Sequence, residues 1–251
     1  MFFALGCGGS IEPEGPVDAD GEPIALPGAY ETWLQIRRMT PGAGAISAQP
    51  MLELEFTDYL NPDTYLSFNL VALQSGGIVA RGDAEYIMST KTVRWTPRRA
   101  LEPGFHYTVL LAAEDVRSVT ASPLLLSPDS PRYVVDETLN PTPHPTRPEG
   151  RWAQVEAIFE ARCASCHRDP QWQLNPLTFE SLVGKRSAQS EHLVVRPYDA
   201  PASYLMHKIL PDYPLRRFTV QPPPWAPDND PLSREELQLV ESWIRFGARS
   251  D

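Results

Sequence analysis

Apolar and polar residues alternate along short stretches of the first half of the chain. Leu52-Glu-Leu-Glu-Phe56 alternates with a period of two, which is the pattern of a strand with one face buried. Further strands are predicted for the segments 85–88, 93–96 and 105–111, which are rich in branched and aromatic residues. Because no helical periodicity separates these segments, residues 29–136 are predicted to form a β-sandwich.

The periodicity becomes helical after residue 151. Trp152, Val155 and Phe159 fall at helical spacing, and Ile158 extends the same apolar face. Near the other end, Ser233-Arg-Glu-Glu236 is a capping-box sequence that predicts the start of a second helix. Short helices are also predicted at 179–183 and 203–210. Residues 151–251 are therefore predicted to be a small, all-α domain.

Proline separates these two regions. The chain has 27 prolines among its 251 residues, and four of them lie at 141, 143, 145 and 148. Proline at this density favours extended backbone and excludes a helix or a central strand. We therefore predict a Pro-rich linker over 137–150. Residues 1–28, rich in Gly, Pro and acidic residues after position 7, are predicted to be a signal remnant and flexible tether.

One motif in the β region has a known counterpart. Thr96-Pro97 precedes Leu101-x-Pro103-Gly104-x-x-Tyr107-Thr-Val, and Leu52-x-Leu-x-Phe56-Thr lies upstream. This arrangement resembles bacterial Ig-like domains of the surface-layer-protein type. The resemblance implies that Tyr107 is the tyrosine-corner residue. It also implies that the domain serves as a spacer or a binding platform.

Charge and hydropathy argue against two classes of protein, those that bind nucleic acid and those that span a membrane. The chain carries 32 acidic and 22 basic residues, for a net charge of −10. A nucleic-acid-binding protein needs a basic face, so no nucleic-acid partner is expected. No apolar run is long enough for a transmembrane helix, and no residue set indicates catalysis. We expect an electron carrier rather than an enzyme, for the reasons that follow.

The first ten residues contain a cysteine in a distinctive setting. Ala4-Leu-Gly-Cys7 resembles the end of a bacterial lipoprotein signal, although the basic segment and most of the apolar segment of such a signal are missing. The resemblance implies lipidation of Cys7 and a location in the periplasm or at the outer membrane, with the membrane contacted only through a lipid anchor. The alternative is an unstructured N-terminus with a chance cysteine.

The other two cysteines form a motif with a specific chemistry. Cys163-Ala-Ser-Cys166-His167 is the attachment sequence of haem c. Two thiols on one helical turn each form a thioether with the haem, and the adjacent imidazole ligates the iron. A redox cysteine pair normally lies in a βαβ fold, and a zinc site needs further ligands. The motif predicts one covalent haem c, attached to Cys163 and Cys166, with His167 as the proximal iron ligand.

The motif belongs to a longer pattern. Ile158-Phe-Glu-Ala-Arg-Cys163 leads into it, and Ser203-Tyr-Leu-Met-His-Lys-Ile209, Pro222-Pro-Pro and Leu232-Ser-x-Glu-Glu follow it. This pattern resembles the cytochrome c domains of planctomycete and myxobacterial secreted proteins. The resemblance implies the cytochrome c fold, in which the first and last helices cross and pack through Phe159 and Trp243.

The distal iron ligand is where this chain departs from that family. The family usually has a methionine before the prolines, and Gln221 occupies its place here. Four alternatives remain: ligation by Met206, by His207 or by His192, or a five-coordinate iron with Gln221 near the open face. Helical phase favours Met206 over His207 as the distal ligand, because His207 is predicted to point more outward. The alternative for Met206 is ordinary core packing, which is the more frequent role of a methionine on such a face.

These features predict a multidomain β + α protein, with an Ig-like β-sandwich followed by a small all-α cytochrome c domain. The predicted function is that of a monohaem c-type cytochrome, which transfers one electron at a time to a redox partner protein in the bacterial cell envelope. One alternative is a five-coordinate haem sensor or small-ligand-binding protein. Another is an envelope structural or adhesion module with an accessory haem.

Overall fold

The computed structural model describes residues 33–65, 71–111, 116–125, 130–143, 150–168, 176–216, 220–222 and 231–251. These residues form two compact units, divided between residues 147 and 148. The division falls within the segment predicted as a linker. The predicted tether with Cys7, and residues 144–149 of the linker, lie outside the described residues.

The first unit is built from β-strands. In chain order they are β1 (Ile36–Thr40), β2 (Gly44–Ile46), β3 (Leu52–Phe56), β4 (Val71–Ser75), β5 (Ile78–Ile87), β6 (Thr92–Pro97), β7 (His106–Leu111) and β8 (Arg132–Val135). A single helical turn, α1 (Pro62–Tyr65), lies between β3 and β4. The strands form one eight-stranded sheet in the order β1-β3-β6-β5-β4-β7-β8-β2, and only the β2–β8 pair is parallel.

The longest strand, β5, joins the two halves of this curled sheet. Its first residues pair with β4, and from Gly82 onward it pairs with β6. A Cβ atom at Gly82 would lie 2.2 Å from the ring of Trp95 and 2.3 Å from the carbonyl oxygen of Thr96. Gly82 therefore lets the strand pass close to the buried Trp95 ring. The predicted sandwich is one continuous sheet, consistent with an Ig-like β domain.

The alternating pattern that predicted β3 is present in the structure. Leu52, Leu54 and Phe56 are fully buried, whereas Glu53 and Glu55 are half-buried on the other face. The other predicted strands coincide with parts of β5, β6 and β7, except that residues 88 and 105 lie just outside them. β1, β2, β4 and β8 were not predicted, because each is short or lacks a clear alternation. The Val71–Leu73 part of β4, for example, is buried on both faces.

Tyr107 makes the contact that the Ig-like resemblance implied. Its side chain is buried in β7, and its hydroxyl oxygen accepts a hydrogen bond from the backbone N–H of Glu102 at 3.2 Å. A bond from a buried tyrosine to backbone a few residues upstream is the defining contact of a tyrosine corner. It holds the turn at Pro103 and Gly104 against the strand that follows.

The described residues of the second unit form five further helices. They are α2 (Trp152–Arg162), α3 (Ala164–His167), α4 (Phe179–Leu182), α5 (Tyr204–Ile209) and α6 (Arg234–Arg245). Its described residues contain isolated β-bridges, such as Val183 with Val195, but no named strand. α4 and α5 agree with the predicted segments 179–183 and 203–210 to within one residue at each end. α6 begins directly after the predicted capping residue Ser233, whereas α3 was not predicted as a separate helix. The assignment of this unit to the cytochrome c fold stays a prediction.

Aromatic rings pack α2 against α6. The Trp152 and Trp243 ring centroids are 5.3 Å apart, and Trp152 also contacts Phe159 at 6.2 Å and Phe179 at 5.8 Å. We call these four residues the aromatic cluster. The resemblance implied packing through Phe159 and Trp243, whereas in the structure Trp152 provides the ring contact from α2 to Trp243. Gly150 lies close to α6, since a Cβ atom there would be 2.4 Å from the carbonyl oxygen of Leu239.

Candidate functional site

The candidate site is the turn that links the end of α2 to α3. The N–H of Cys163 donates to the carbonyl of Phe159 at 2.8 Å, which closes the last turn of α2. The carbonyl of Cys163 in turn accepts from the N–H groups of Cys166 at 3.2 Å and His167 at 2.9 Å. Two thiols and one imidazole are therefore held on a single helical turn, as the attachment of haem c requires.

An ion pair and a helix cap fix this turn relative to α6. The Arg162 side chain, next to Cys163, donates through Nε to Oε1 of Glu236 at 3.2 Å. The other carboxylate oxygen of Glu236 accepts from the backbone N–H of Ser233 at 2.7 Å, and Ser233 Oγ accepts from the N–H of Glu236 at 3.2 Å. Glu236 thus completes the predicted capping box and also ties α6 to the end of α2.

The Arg162–Glu236 pair was not anticipated from the sequence. Its two residues are 74 positions apart, and no local pattern links them. The pattern did identify Glu236 as a capping residue, because a capping box lies within one helical turn. Its second role depends on how the two helices pack.

The site thiols are desolvated but not fully enclosed. Cys163, Cys166 and His167 are all half-buried, and neither cysteine is in a disulfide. Burial raises the pKa of the Cys163 thiol to about 12, and the negative charges of Cys166 and Glu236 add to the increase, while Arg162 opposes it. The thiol of Cys163 is therefore protonated at neutral pH.

The residues at this turn fit a covalent haem. Neither thiol is in a disulfide, and the half-buried His167 lies on the same turn. The part of the chain that the structure describes holds no cluster of three or more His, Cys, Asp or Glu side chains suited to a metal ion. Two thiols and one imidazole at this spacing are the side chains that a haem c attachment would use.

His207 corrects the prediction made from helical phase. It was predicted to point more outward, yet its side chain is buried, with 4% of its surface exposed. Its Nε2–H donates to the carbonyl of Pro201 at 2.8 Å, and its ring stacks on Tyr213 at 4.3 Å. Phase was misleading because the chain on either side of α5 folds back over the face that would otherwise be exposed.

Met206, the predicted distal ligand, is completely enclosed. Its side chain has 0% of its surface accessible. The contacts of α5 explain why: Tyr204, Met206, His207 and Ile209 are all buried, so protein surrounds this short helix on most of its circumference. The structure gives Met206 the environment of a core residue.

The remaining distal candidates lie on loops. His192 is exposed, and its ring meets the edge of the His207 ring at 5.1 Å. Gln221 is half-buried between the buried Val220 and Pro222, and its N–H donates to the carbonyl of Lys208 at 2.8 Å. The structure therefore brings Gln221 to the end of α5, and brings His192 to His207.

The titration of His207 reflects its surroundings. Its pKa is lowered to about 4, mainly by burial; the hydrogen bond to Pro201 opposes this decrease, and the neighbouring His192 adds to it. Protonation of this ring is unfavourable in the folded protein. His207 is therefore a neutral core residue at pH 7, hydrogen-bonded and stacked within the second unit.

Comparison with known proteins identifies the first unit only. The family described as "Bacterial Ig-like domain" matches residues 31–130, and domains of this family occur in bacterial surface proteins. No curated protein matches the chain. Among the described residues, no helix is both long enough and apolar enough to cross a membrane.

Solved structures show partial likenesses. An S-layer protein, rSbsC(31-844), shares 14% sequence identity with a TM-score of 0.32. The match covers 46% of this chain and 14% of the S-layer chain. An L,D-transpeptidase from Mycobacterium tuberculosis H37Rv shares 13% identity, covers 40% of this chain with 39% of its own, and gives a TM-score of 0.28. This chain thus spans only a small part of the S-layer protein and well under half of the transpeptidase. The match to the Ig-like family is the finding that identifies the fold of the first unit.

Proposed function

We propose that this protein is a monohaem c-type cytochrome that transfers single electrons in the bacterial cell envelope. The observation that carries the proposal is the turn at the end of α2, where Cys163, Cys166 and His167 share one helical turn. A chance arrangement of this kind needs two cysteines and a histidine at fixed spacing, and the chain has only 3 cysteines and 5 histidines.

Each residue of the turn has a defined task in this proposal. Haem c, when bound, supplies a one-electron iron couple. Cys163 and Cys166 would each add their S–H across a vinyl group, the sulfur to one carbon and the hydrogen to the other. His167 would ligate the iron from the proximal side. Arg162 and Glu236 hold the turn against α6, which limits its movement when the charge of the site changes.

The partner and the location follow from charge and from the N-terminus. A net charge of −10 favours a basic docking face on the redox partner protein, and such pairing speeds association at low ionic strength. A lipid on Cys7, as the lipoprotein-like sequence implies, would hold the protein at the membrane in the periplasm or at the outer membrane. The Ig-like unit would then act as a spacer between the anchor and the haem.

The proposal is tested by haem attachment. The full chain is produced in a host that matures c-type cytochromes, and covalent haem is measured by haem staining of the denatured protein and by its pyridine haemochrome spectrum. Wild type is expected to carry one haem, and the double substitution of Cys163→Ser with Cys166→Ser is expected to carry none. Cys7→Ser is the matched control and should keep its haem. Wild-type protein without covalent haem, despite normal folding, would contradict the proposal.

A second candidate is favoured by the match over residues 31–130. In that reading the protein is an envelope structural or adhesion module, and the haem is accessory. The double cysteine variant discriminates between the two readings. The structural role is supported if the double cysteine variant binds the envelope as well as wild type does, and if neither protein transfers electrons to envelope acceptors.

A further inference from the structure

The second unit contains very few side chains able to ligate a haem iron from the distal side. Residues 148–251 include one methionine, Met206, and three histidines, of which His167 is the proposed proximal ligand. That leaves Met206, His192 and His207 as the thioether and imidazole candidates. The structure gives each of the three a specific environment that can be examined in turn.

Met206 is enclosed on every side. A thioether that reaches a haem iron has to border the space that a porphyrin occupies, and a side chain bordering such a space retains accessible surface. Met206 retains none, whereas Cys163, Cys166 and His167 are all half-buried. Ligation by Met206 would therefore require α5 to leave the core in which Tyr204 and Ile209 are also buried.

His207 is buried in the core, and the exposed His192 contacts the edge of its ring. Nε2 of His207, the nitrogen at the tip of the ring, donates to the carbonyl of Pro201, and the ring face is covered by Tyr213. His192 lies on an exposed loop with its ring against the edge of His207. Ligation by His207 would break its hydrogen bond to Pro201 and its stacking on Tyr213, and ligation by His192 would remove its ring from the edge of His207.

Lysine is the remaining nitrogen donor of this unit. An ammonium group has no free electron pair, so a lysine ligates iron only after it loses a proton. Lys185 is exposed, and burial, aided by the charge of Arg216, lowers the pKa of Lys208 to about 8. Lys208 is therefore mainly protonated at pH 7, so ligation of iron by its amine would require the loss of that proton.

We infer that neither Met206, His192 nor His207 completes the coordination of the haem at neutral pH, and that the site binds a small diatomic ligand such as carbon monoxide in its reduced state. This inference rests on the proposed function, because it needs the covalent haem at Cys163 and Cys166. It assigns the haem site a second activity, ligand binding, beside electron transfer. The geometry that carries it is the enclosure of Met206 and the Pro201–His207–Tyr213 packing.

The test uses the full-length holoprotein at pH 7 with carbon monoxide as the probe. Optical and electron paramagnetic resonance spectra are recorded for wild type, Met206→Leu and His192→Ala. We expect a high-spin spectrum in all three, and a reduced Soret band that shifts on addition of carbon monoxide. The two substitutions should change the carbon monoxide affinity by less than about twofold, which is well below the tenfold that corresponds to 1.4 kcal/mol.

Two results would overturn the inference. A low-spin reduced spectrum that carbon monoxide does not change would show that the chain supplies a strong sixth ligand. A spectrum that becomes sensitive to carbon monoxide only in Met206→Leu or His192→Ala would identify that ligand. Absence of covalent haem in the haemochrome assay is a different result, since it would overturn the proposed function and this inference together. His207 is left unchanged here because its removal alters the packing of α5.

Discussion

The two units of this protein are stabilised in different ways. In the first unit, strand pairing satisfies most of the backbone, and the side chains alternate between a buried and an open face. In the second unit, the described helices are as short as four residues, and some backbone groups between them bond to side chains. The buried Ser203 hydroxyl, for example, accepts from the N–H of Arg196 and donates to the carbonyl of Asp199, each at 2.8 Å.

This difference indicates which substitutions should lower the stability of each unit. A sheet distributes its stability over many equivalent backbone bonds, so single side chains outside the core matter little. A unit of short helices depends on a few large contacts, because helices of this length are unstable by themselves. The aromatic cluster is therefore expected to dominate the stability of the unit that carries the candidate site.

The largest effect is expected from Trp243→Ala. Trp243 is 1% exposed and contacts Trp152 and Phe179, so the substitution leaves a cavity between α2 and α6. We expect the second unit to lose about 3–5 kcal/mol of unfolding free energy. Hydrogen exchange in increasing urea, followed by mass spectrometry, reports the two units separately. Phe246→Ala, at a position 52% exposed, is the control. An equal loss of protection in the sheet would contradict the separation of the two units.

Acid is expected to destabilise the second unit through His207. Its pKa is about 4 in the folded protein and 6.5 in the unfolded chain. The unfolded chain therefore binds a proton first as the pH falls, so stability is complete above pH 6.5 and decreases down to about pH 4. The full loss is roughly 3 kcal/mol from the free energy of a pKa shift of this size.

The measurement compares urea unfolding of the second unit at pH 7, 5.5 and 4. In His207→Phe, which keeps an aromatic ring beside Tyr213, the pH dependence between 6.5 and 4 should be much weaker than in wild type. An identical pH dependence in both proteins would show that other groups are responsible.

Gly82→Ala tests the first unit at the point where β5 changes partners. The new methyl group would lie within 2.3 Å of both Trp95 and the Thr96 carbonyl, so the ring or the strand has to move. We expect the sheet to lose about 1–3 kcal/mol. Gly42→Ala is a matched control, because nothing lies within 4 Å of a Cβ atom there. Thermal unfolding followed by circular dichroism should show a lower midpoint for Gly82→Ala only.

The smallest effect is expected from Ser233→Ala. The substitution removes the hydroxyl that accepts from the N–H of Glu236 at the start of α6. Loss of such a cap costs about 1 kcal/mol. Ser250→Ala, at an exposed position near the C-terminus, should change the stability of the second unit by less than about 0.5 kcal/mol. Equal effects of the two substitutions in urea unfolding would mean that the cap contributes nothing.

The features that could be predicted are those encoded within a few neighbouring residues. The capping box of α6 joins residues three positions apart, and β3 is recognisable from five residues of alternating polarity. The pairing of β2 with β8 could not be predicted, because it joins residues 44–46 to residues 133–135 with no local signal. Much of the candidate site could be predicted, because Cys163, Cys166 and His167 lie within five consecutive residues.

The order of a β region, a proline-rich segment and a helical region could be inferred from the residues alone, as could the motif of two cysteines and a histidine. Periodicity, proline content and motif spacing are properties of the chain alone, so they do not depend on packing. Only the tertiary structure decided the environments of Met206 and His207. Helical phase describes one helix, whereas burial depends on every segment that packs around it. For the same physical reason, the surroundings of the candidate distal ligands depend on the tertiary structure and not on local sequence.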